Sequence, residues 1–417
     1  MPQLSDDCFA FGGALMTVEA ALALIAERIG PVVEPETAAL AEAPGRVLAR
    51  DLVASFDLPP HANSAVDGYA VVHADLHADS DTILPVTGRA AAGHPLGRPA
   101  HRGEAIRIFT GAPMPDGADT VMMQEDCVLA DGMVRLHPGI RRGANRRRAG
   151  EDVERGAVAL PAGRRLRPPD LGLAAALGCR ELPVFRRLRV ALLSTGDEVR
   201  EPGDALPPGM IYDANRFMLG ALLRNLGCAV TDLGIAPDRA PGLSDMLAAA
   251  SAAHDAVVTS GGVSTGEEDH VRTALERLGR LHFWRLAIKP GRPVMLGQIR
   301  GVPLIGLPGN PVAAAVTFVA LARPLILRLA GAIEPPPALF RVRADFAYRK
   351  KPGRREFVRA SLDRGPDGPV VRKYPKDGAG ILSSITRSDG LAILDENTSD
   401  LAAGAMVDFL PFAAVME

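Results

Sequence analysis

Apolar residues along this chain change their rhythm several times, and each change predicts a different kind of element. Residues 17–30, TVEAALALIAERIG, carry apolar side chains at helical spacing, with Thr17 as the cap and Gly30 as the stop. From 47 to 140 the runs become short and alternating, as in YAVVHADL, TILPVTG, EAIRIFTG and DTVMMQEDCVL, with Gly, Pro and Asp between them. That texture predicts an all-β module with tight turns. The stretch 141–156, RRGANRRRAGEDVERG, is basic and irregular and reads as a solvated loop. LRPPDLGLAAALG (166–178) then predicts a short helix opening behind two prolines.

From 188 to about 331 strand and helix patterns alternate: LRVALLST, ANRFMLGALLRNLG, AVTDLGIA, APGLSDMLAAASAAH, DAVVTSGG, EEDHVRTALERLG, and VPLIGLPGNP leading into VAAAVTFVALARPLILRLAG. Such alternation predicts a doubly wound parallel sheet wrapped by helices. Beyond the proline linker EPPPA (334–338) the pattern returns to alternation, as in LFRVRADFAY, REFVRASL and AMVDFLPF, and predicts a small β barrel or sandwich. The fold class expected is therefore multidomain α/β plus β.

Composition narrows the partners. At 417 residues the chain is too long for one core, and a net charge of −2 gives no general bias toward nucleic acid or membrane. Any site for a polyanion must then be local. Cys8, Cys127, Cys179 and Cys228 lack C-x-x-C spacing, which argues against zinc or a disulfide framework and for a reducing compartment. Asp6 and Asp7 precede the first apolar run, which is too short and too charged to span a membrane, so the cytoplasm is expected.

Ligands on a doubly wound sheet bind at the carboxyl ends of the strands. STGDEV (194–199), TSGGVSTGEED (259–269) and GLPGNP (306–311) should lie on that edge. The second stretch runs Ser260, Gly261, Gly262 and Ser264 straight into Glu267, Glu268 and Asp269. A loop built to approach an anion, followed by acids, fits a phosphate or pyrophosphate presented with Mg²⁺, which prefers one or two carboxylates plus phosphate oxygens. The competing explanation is that the acids only cap a helix. Lys289 is one of five lysines against 42 arginines, and the other four lie at Lys350 or beyond. A compact ammonium offers an oxyanion a different geometry from guanidinium, though simple strand-end solvation would also account for it. Asp67 before Gly68 reads as a hairpin turn, and TGAPMPDGAD (110–119) as another turn. No Ser/His/Asp arrangement and no G-x-x-x-x-G-K-[ST] motif is present, so chemistry at phosphorus would rest on positioning and metal electrostatics.

NSAVDGYA, FTGAPMPDGADTVMMQED, RRAGEDV, LLSTGDEV, IYDANR, TSGGVSTGEEDH, LAIKPGRP and GLPGNPVAAAV occur in that order. Together they resemble the bacterial MoeA family of molybdopterin molybdenumtransferases, related to the E domain of gephyrin, over essentially the whole chain. The resemblance implies an elongated linking domain from 1–46 and 141–187, an inserted β domain at 47–140, a doubly wound molybdopterin-binding domain at 188–333 and a C-terminal β barrel at 334–417. It implies a homodimer whose cleft combines the doubly wound domain with the inserted domain of the other subunit, and transient contact with the molybdopterin adenylyltransferase and recipient molybdoenzymes. The family's reaction takes adenylylated molybdopterin and molybdate and, with Mg²⁺, yields molybdenum cofactor and AMP.

Carried over by position, the important acids fall on Asp67, Asp152, Glu198, Asp238 and Asp269, with Glu198 and Asp269 as metal ligands. Thr110, Thr195, Gly196, Gly262, Pro308 and Pro311 fall on substrate-binding positions. Ser264, Lys289, Arg292 and Arg359 form the oxyanion set, with Arg285 and Ser383 beside them. Arg285 and Arg292 stand where the family often has Lys, and Ala313 and Ala379 stand where a hydroxyl is frequent, with Ser383 as a replacement. Two alternatives stay open at this point: a molybdopterin adenylyltransferase, and a non-catalytic carrier or scaffold of the same fold.

Overall fold

The computed structural model describes residues 15–236, 240–263, 270–365 and 368–416. It divides into two compact units, one made of the chain up to Arg50, residues 162–167 and everything from Glu181 onward, the other of Asp51–Pro161 and Pro168–Arg180.

The first unit is organised by a six-stranded sheet in the order 229–236, 189–195, 256–260, 302–307, 293–299, 280–285. Its central strands are apolar without interruption because both faces are covered. In Arg189–Thr195 the side chains of Val190 and Leu192 enter one core and those of Ala191 and Leu193 the other, as a two-residue period requires. Helices Val18–Arg28, Asn215–Asn225 and Pro311–Thr317 close the first face, and Ala240–Ala253 and His270–Leu278 the second. The parallel ladder pairs Ser194 with Ser260, and Ser260 with Leu307, so three strand ends finish level.

The sheet is not parallel throughout, as the alternation of elements had implied. Pro293–Ile299 runs antiparallel to Val302–Leu307. The two strands are joined by Arg300 and Gly301, with φ of 54° and 77°. Two consecutive left-handed residues make the tight hairpin turn whose twist matches paired strands, and so small a loop forces reversal.

Thr17 caps the first helix as expected, its hydroxyl accepting from the Ala20 N–H at 3.2 Å. The long apolar helix from Pro311 to Leu329 widens into a π segment at Phe318–Ala322, just before Pro324. Proline there lacks the N–H and would crowd the carbonyl one turn back, and the wider turn relieves that. Among the described residues it is the one helix long and apolar enough to cross a membrane, and most of it is buried in this core.

At the C-terminal end, Arg355–Gly365 pairs with both Gly368–Lys373 and Gly390–Leu394, which closes a five-strand barrel. Ile288–Lys289 adds to that barrel in parallel with Arg355–Glu356.

The second unit carries another six-stranded sheet, ordered 120–123, 68–71, 105–108, 82–90, 133–136, 127–130. Here Asp67-Gly68 is not the hairpin turn its sequence suggested. Gly68 opens the strand Gly68–Val71, while the preceding Asn63–Ser64 pairs with Arg146–Arg147. A Cβ on Gly68 would lie 1.7 Å from the Met122 carbonyl oxygen, so glycine is required by the close approach of a neighbouring strand.

Candidate active site at the strand ends

Where Arg189–Thr195 ends, Gly196 (φ 138°) releases the chain into an exposed turn that carries Glu198. A Cβ on Gly196 would stand 2.8 Å from Glu198 Oε2, which means the carboxylate lies directly over that glycine. After the strand Ala256–Ser260, Gly261 and Gly262 both take positive φ. A side chain on Gly261 would meet the Thr195 carbonyl at 2.6 Å, and one on Gly262 would meet Val271 Cγ2 at 2.4 Å. The third strand ends in Pro308 and Gly309. Three glycine-bearing turns thus lie side by side with little side chain between a ligand and the backbone.

A cavity of about 1100 Å³ opens over them, lined by Thr195, Gly196, Glu198, Gly262, Pro308 and Pro311 from the expected set. Sequence reasoning missed the residue that ties these turns together. The Asn215 amide donates to Ser260 Oγ at 2.8 Å and to the Gly309 carbonyl at 2.7 Å, joining two strand ends through one side chain. Asn215 is buried, and its Oδ1 and the Ser194 Oγ have no hydrogen-bond partner among the described residues. Next to it, Asp213 lines the cavity but is committed to Arg216, which it meets at 3.0 Å. Burial opposes the charge of the Arg216 guanidinium, but hydrogen bonds from it to Asp232, Asp213 and Glu201 raise its pKa. IYDANR was the only sequence signal for this cluster.

Of the candidate oxyanion residues, Lys289 and Arg359 stand on strands of the barrel. Lys289 Nζ donates to Glu356 Oε2 at 3.1 Å. Arg359 is buried, its Nε donating to Ser384 Oγ at 3.0 Å and its Nη2 to the Gly378 carbonyl at 3.2 Å. Burial lowers its pKa, but arginine remains charged at any pH of interest. Ser383 Oγ stands 3.4 Å from the Tyr374 hydroxyl. Ala379 offers its carbonyl to the N–H of Val312, which docks the 377–382 loop on the start of the long helix. Its neighbours Gly380 and Leu382 reach the cavity wall. Arg285 and Arg292 are exposed, and Arg292 precedes Pro293, another lining residue. Asp238, Ser264 and Asp269 lie outside the described residues.

In the second unit Asp67 accepts from the N–H and the hydroxyl of Thr110, both at 2.8 Å. Those two bonds, the backbone one first, lower its pKa. Asp152 is exposed in a turn whose N–H donates to the Leu58 carbonyl.

Among the described residues no three His, Cys, Asp or Glu side chains converge on one point. At the cavity rim Glu198 offers a carboxylate of the kind that would hold Mg²⁺ together with a ligand's phosphates.

Comparison with known proteins matches three family models in sequence: the MoeA N-terminal region (domains I and II) over residues 16–178, a probable molybdopterin binding domain over 191–328, and the MoeA C-terminal region (domain IV) over 341–412. The chain is 38% identical over 401 residues to the molybdopterin molybdenumtransferase of Haemophilus influenzae, covering 95% of this chain and 99% of that one. It is 37% identical over 383 residues to molybdopterin molybdenumtransferase 2 of Mycobacterium tuberculosis, covering 89% and 94%. The crystal structure of the molybdopterin biosynthesis moeA protein from Pyrococcus horikoshii superposes with a TM-score of 0.80 at 29% identity, covering 95% of this chain and 99% of that one.

Proposed function

This chain belongs to the MoeA family of molybdopterin molybdenumtransferases, and from that premise we infer that it is an enzyme that places molybdenum on molybdopterin. The adenylyltransferase alternative is not favoured, because the similarity to molybdenumtransferases extends over 95% of the chain.

We propose that the substrates are adenylylated molybdopterin and molybdate and that Mg²⁺ assists. The observation that carries this reading is the cavity of about 1100 Å³ floored by three glycine turns at level strand ends. Backbone N–H groups approached through Gly196, Gly262 and Gly309 would take the pyrophosphate of the adenylate, with Thr195 beside them. Glu198, with Asp269, would hold Mg²⁺, which when bound offsets phosphate charge and strengthens AMP as a leaving group. Lys289, Arg292 and Arg359 would hold the molybdate dianion, with Ser264, Ser383 and Arg285 nearby, and Asp238 would complete the acidic set. With no activated nucleophile among the described residues, the incoming oxygen would come from water or molybdate, and the work of these residues is to bind, orient and neutralise as that oxygen bonds to phosphorus and the P–O bond to AMP breaks.

A homodimer with a cleft shared between subunits belongs to the same proposal, with Asp67, Thr110 and Asp152 acting in that cleft. So do transient contacts with the molybdopterin adenylyltransferase and recipient molybdoenzymes, and a cytoplasmic location, where the free thiols Cys127, Cys179 and Cys228 would persist.

The test follows AMP release from adenylylated molybdopterin by the purified protein, with and without molybdate and Mg²⁺. AMP should require both, and Glu198→Gln should demand more Mg²⁺. AMP release without molybdate would mean simple hydrolysis of the adenylate, ATP-dependent AMP transfer to molybdopterin would favour adenylyl chemistry, and a bound but uncleaved adenylate would favour a carrier.

A further inference from the structure

Glu356 is a buried carboxylate beside the candidate oxyanion residue Lys289. Glu356 is 1% exposed, yet it accepts from Lys289 Nζ at 3.1 Å, from the Tyr348 hydroxyl at 2.8 Å and from Arg354 Nε at 2.9 Å. Its placement is set by backbone. Lys289 and Glu356 are register partners in the short parallel ladder between Ile288–Lys289 and Arg355–Glu356, and the Arg355 N–H donates to the Ala287 carbonyl at 2.7 Å. The two side chains therefore leave adjacent strands at the same level.

The pair is asymmetric. The carboxylate is fully enclosed, whereas the Lys289 side chain is 50% exposed. An exposed lysine on a four-carbon stem samples many rotamers, and fixing it costs side-chain entropy. A carboxylate held by three donors supplies a fixed point for the ammonium. It uses one of the three ammonium N–H bonds and leaves two for a ligand. Four residues further along, Pro293 lines the cavity.

Lysine usage points to the same spot. The chain has five lysines against 42 arginines, and Lys289 pairs directly with this carboxylate. Besides Lys289, Lys350 lies within the field of Glu356, and the Lys373 ammonium sits 5.9 Å above the ring of Tyr348, whose hydroxyl Glu356 accepts. A planar guanidinium at position 289 would present a fork where the geometry provides for one point contact.

We propose that Glu356 is a positioning residue that fixes the Lys289 ammonium for the oxyanion substrate. The inference rests on Lys289 belonging to the oxyanion set. The experiment measures AMP release against molybdate concentration for wild type, Glu356→Gln, Glu356→Asp, Lys289→Met and the double variant Lys289→Met/Glu356→Gln, with thermal melting of each. Glu356→Gln should raise the half-saturating molybdate about tenfold, the scale of one charge-assisted hydrogen bond, with the half-saturating adenylate little changed. Glu356→Asp keeps the charge but shortens its reach and should fall in between. In the Lys289→Met background, Glu356→Gln should add almost nothing. An unaltered molybdate dependence in Lys289→Met would remove Lys289 from the oxyanion set and the proposal with it. Impairment in Lys289→Met with none in either Glu356 variant would overturn the positioning role alone, as would additive losses in the double variant.

Discussion

Asp67 holds Thr110 by two hydrogen bonds to one carboxylate oxygen, from the N–H and from the hydroxyl, each 2.8 Å long. The residues are 43 positions apart, so the contact fixes one loop of the second unit against the start of a strand. Because both donors favour the ionised form, Thr110→Val should raise the Asp67 pKa while leaving the backbone bond in place. Carboxyl NMR titration of the two proteins checks this. A lower value in the variant would contradict the assignment. If Asp67 acts in turnover, Asp67→Asn should reduce kcat/KM by tenfold or more, roughly the value of one charged hydrogen bond.

Asn215 should matter to both stability and catalysis. Replacing it with Ala leaves Ser260 Oγ and the Gly309 carbonyl without their donor, at a cost of about 1–3 kcal/mol. The glycine turns it joins would no longer be held level, so kcat/KM should fall further than stability alone explains. Thermal melting and AMP release together test this. A stable variant with full activity would show that the amide does not order the site.

Asp255 gives the first unit a defined acid sensitivity. Burial would raise its pKa, but Arg186 and Arg189 hold it at about 2, against an ordinary 3.8. A depressed folded pKa contributes stability above the unfolded value, and that contribution is lost as pH falls through the folded one. It is worth about 2 kcal/mol at neutral pH. Asp255→Asn should melt well below wild type at pH 7, and the gap should close between about pH 4 and pH 2. A gap independent of pH would mean that packing, and not charge, is what the substitution removes.

Much of this architecture was legible in the chain because its elements announce themselves locally. The alternation of VALL in Arg189–Thr195 and the capped helix after Thr17 need no distant partner to be read. The level strand ends follow from the same alternation. Gly68 was misread because the Asp-Gly pair signals a turn in sequence, while the demand on it comes from Met122, more than fifty residues away. Gly68→Ala should therefore open the strand pair, cost about 1–3 kcal/mol of stability or more, as overpacking does, and lower the melting temperature. Circular dichroism against temperature reads that, and an unshifted melting curve would speak against the close approach. Asn215 was invisible for a related reason, since its partners stand 45 and 94 positions off. The reversed strand Pro293–Ile299 depended on two left-handed residues, of which Arg300 gives no sign in its type.

Elemental and mass analysis of the pterin recovered from turnover shows whether this chain moves molybdenum onto the pterin. With adenylylated molybdopterin and molybdate supplied, the pterin should carry molybdenum, with free AMP in equal amount. Pterin released free of molybdenum, or an adenylate recovered unchanged, would contradict it.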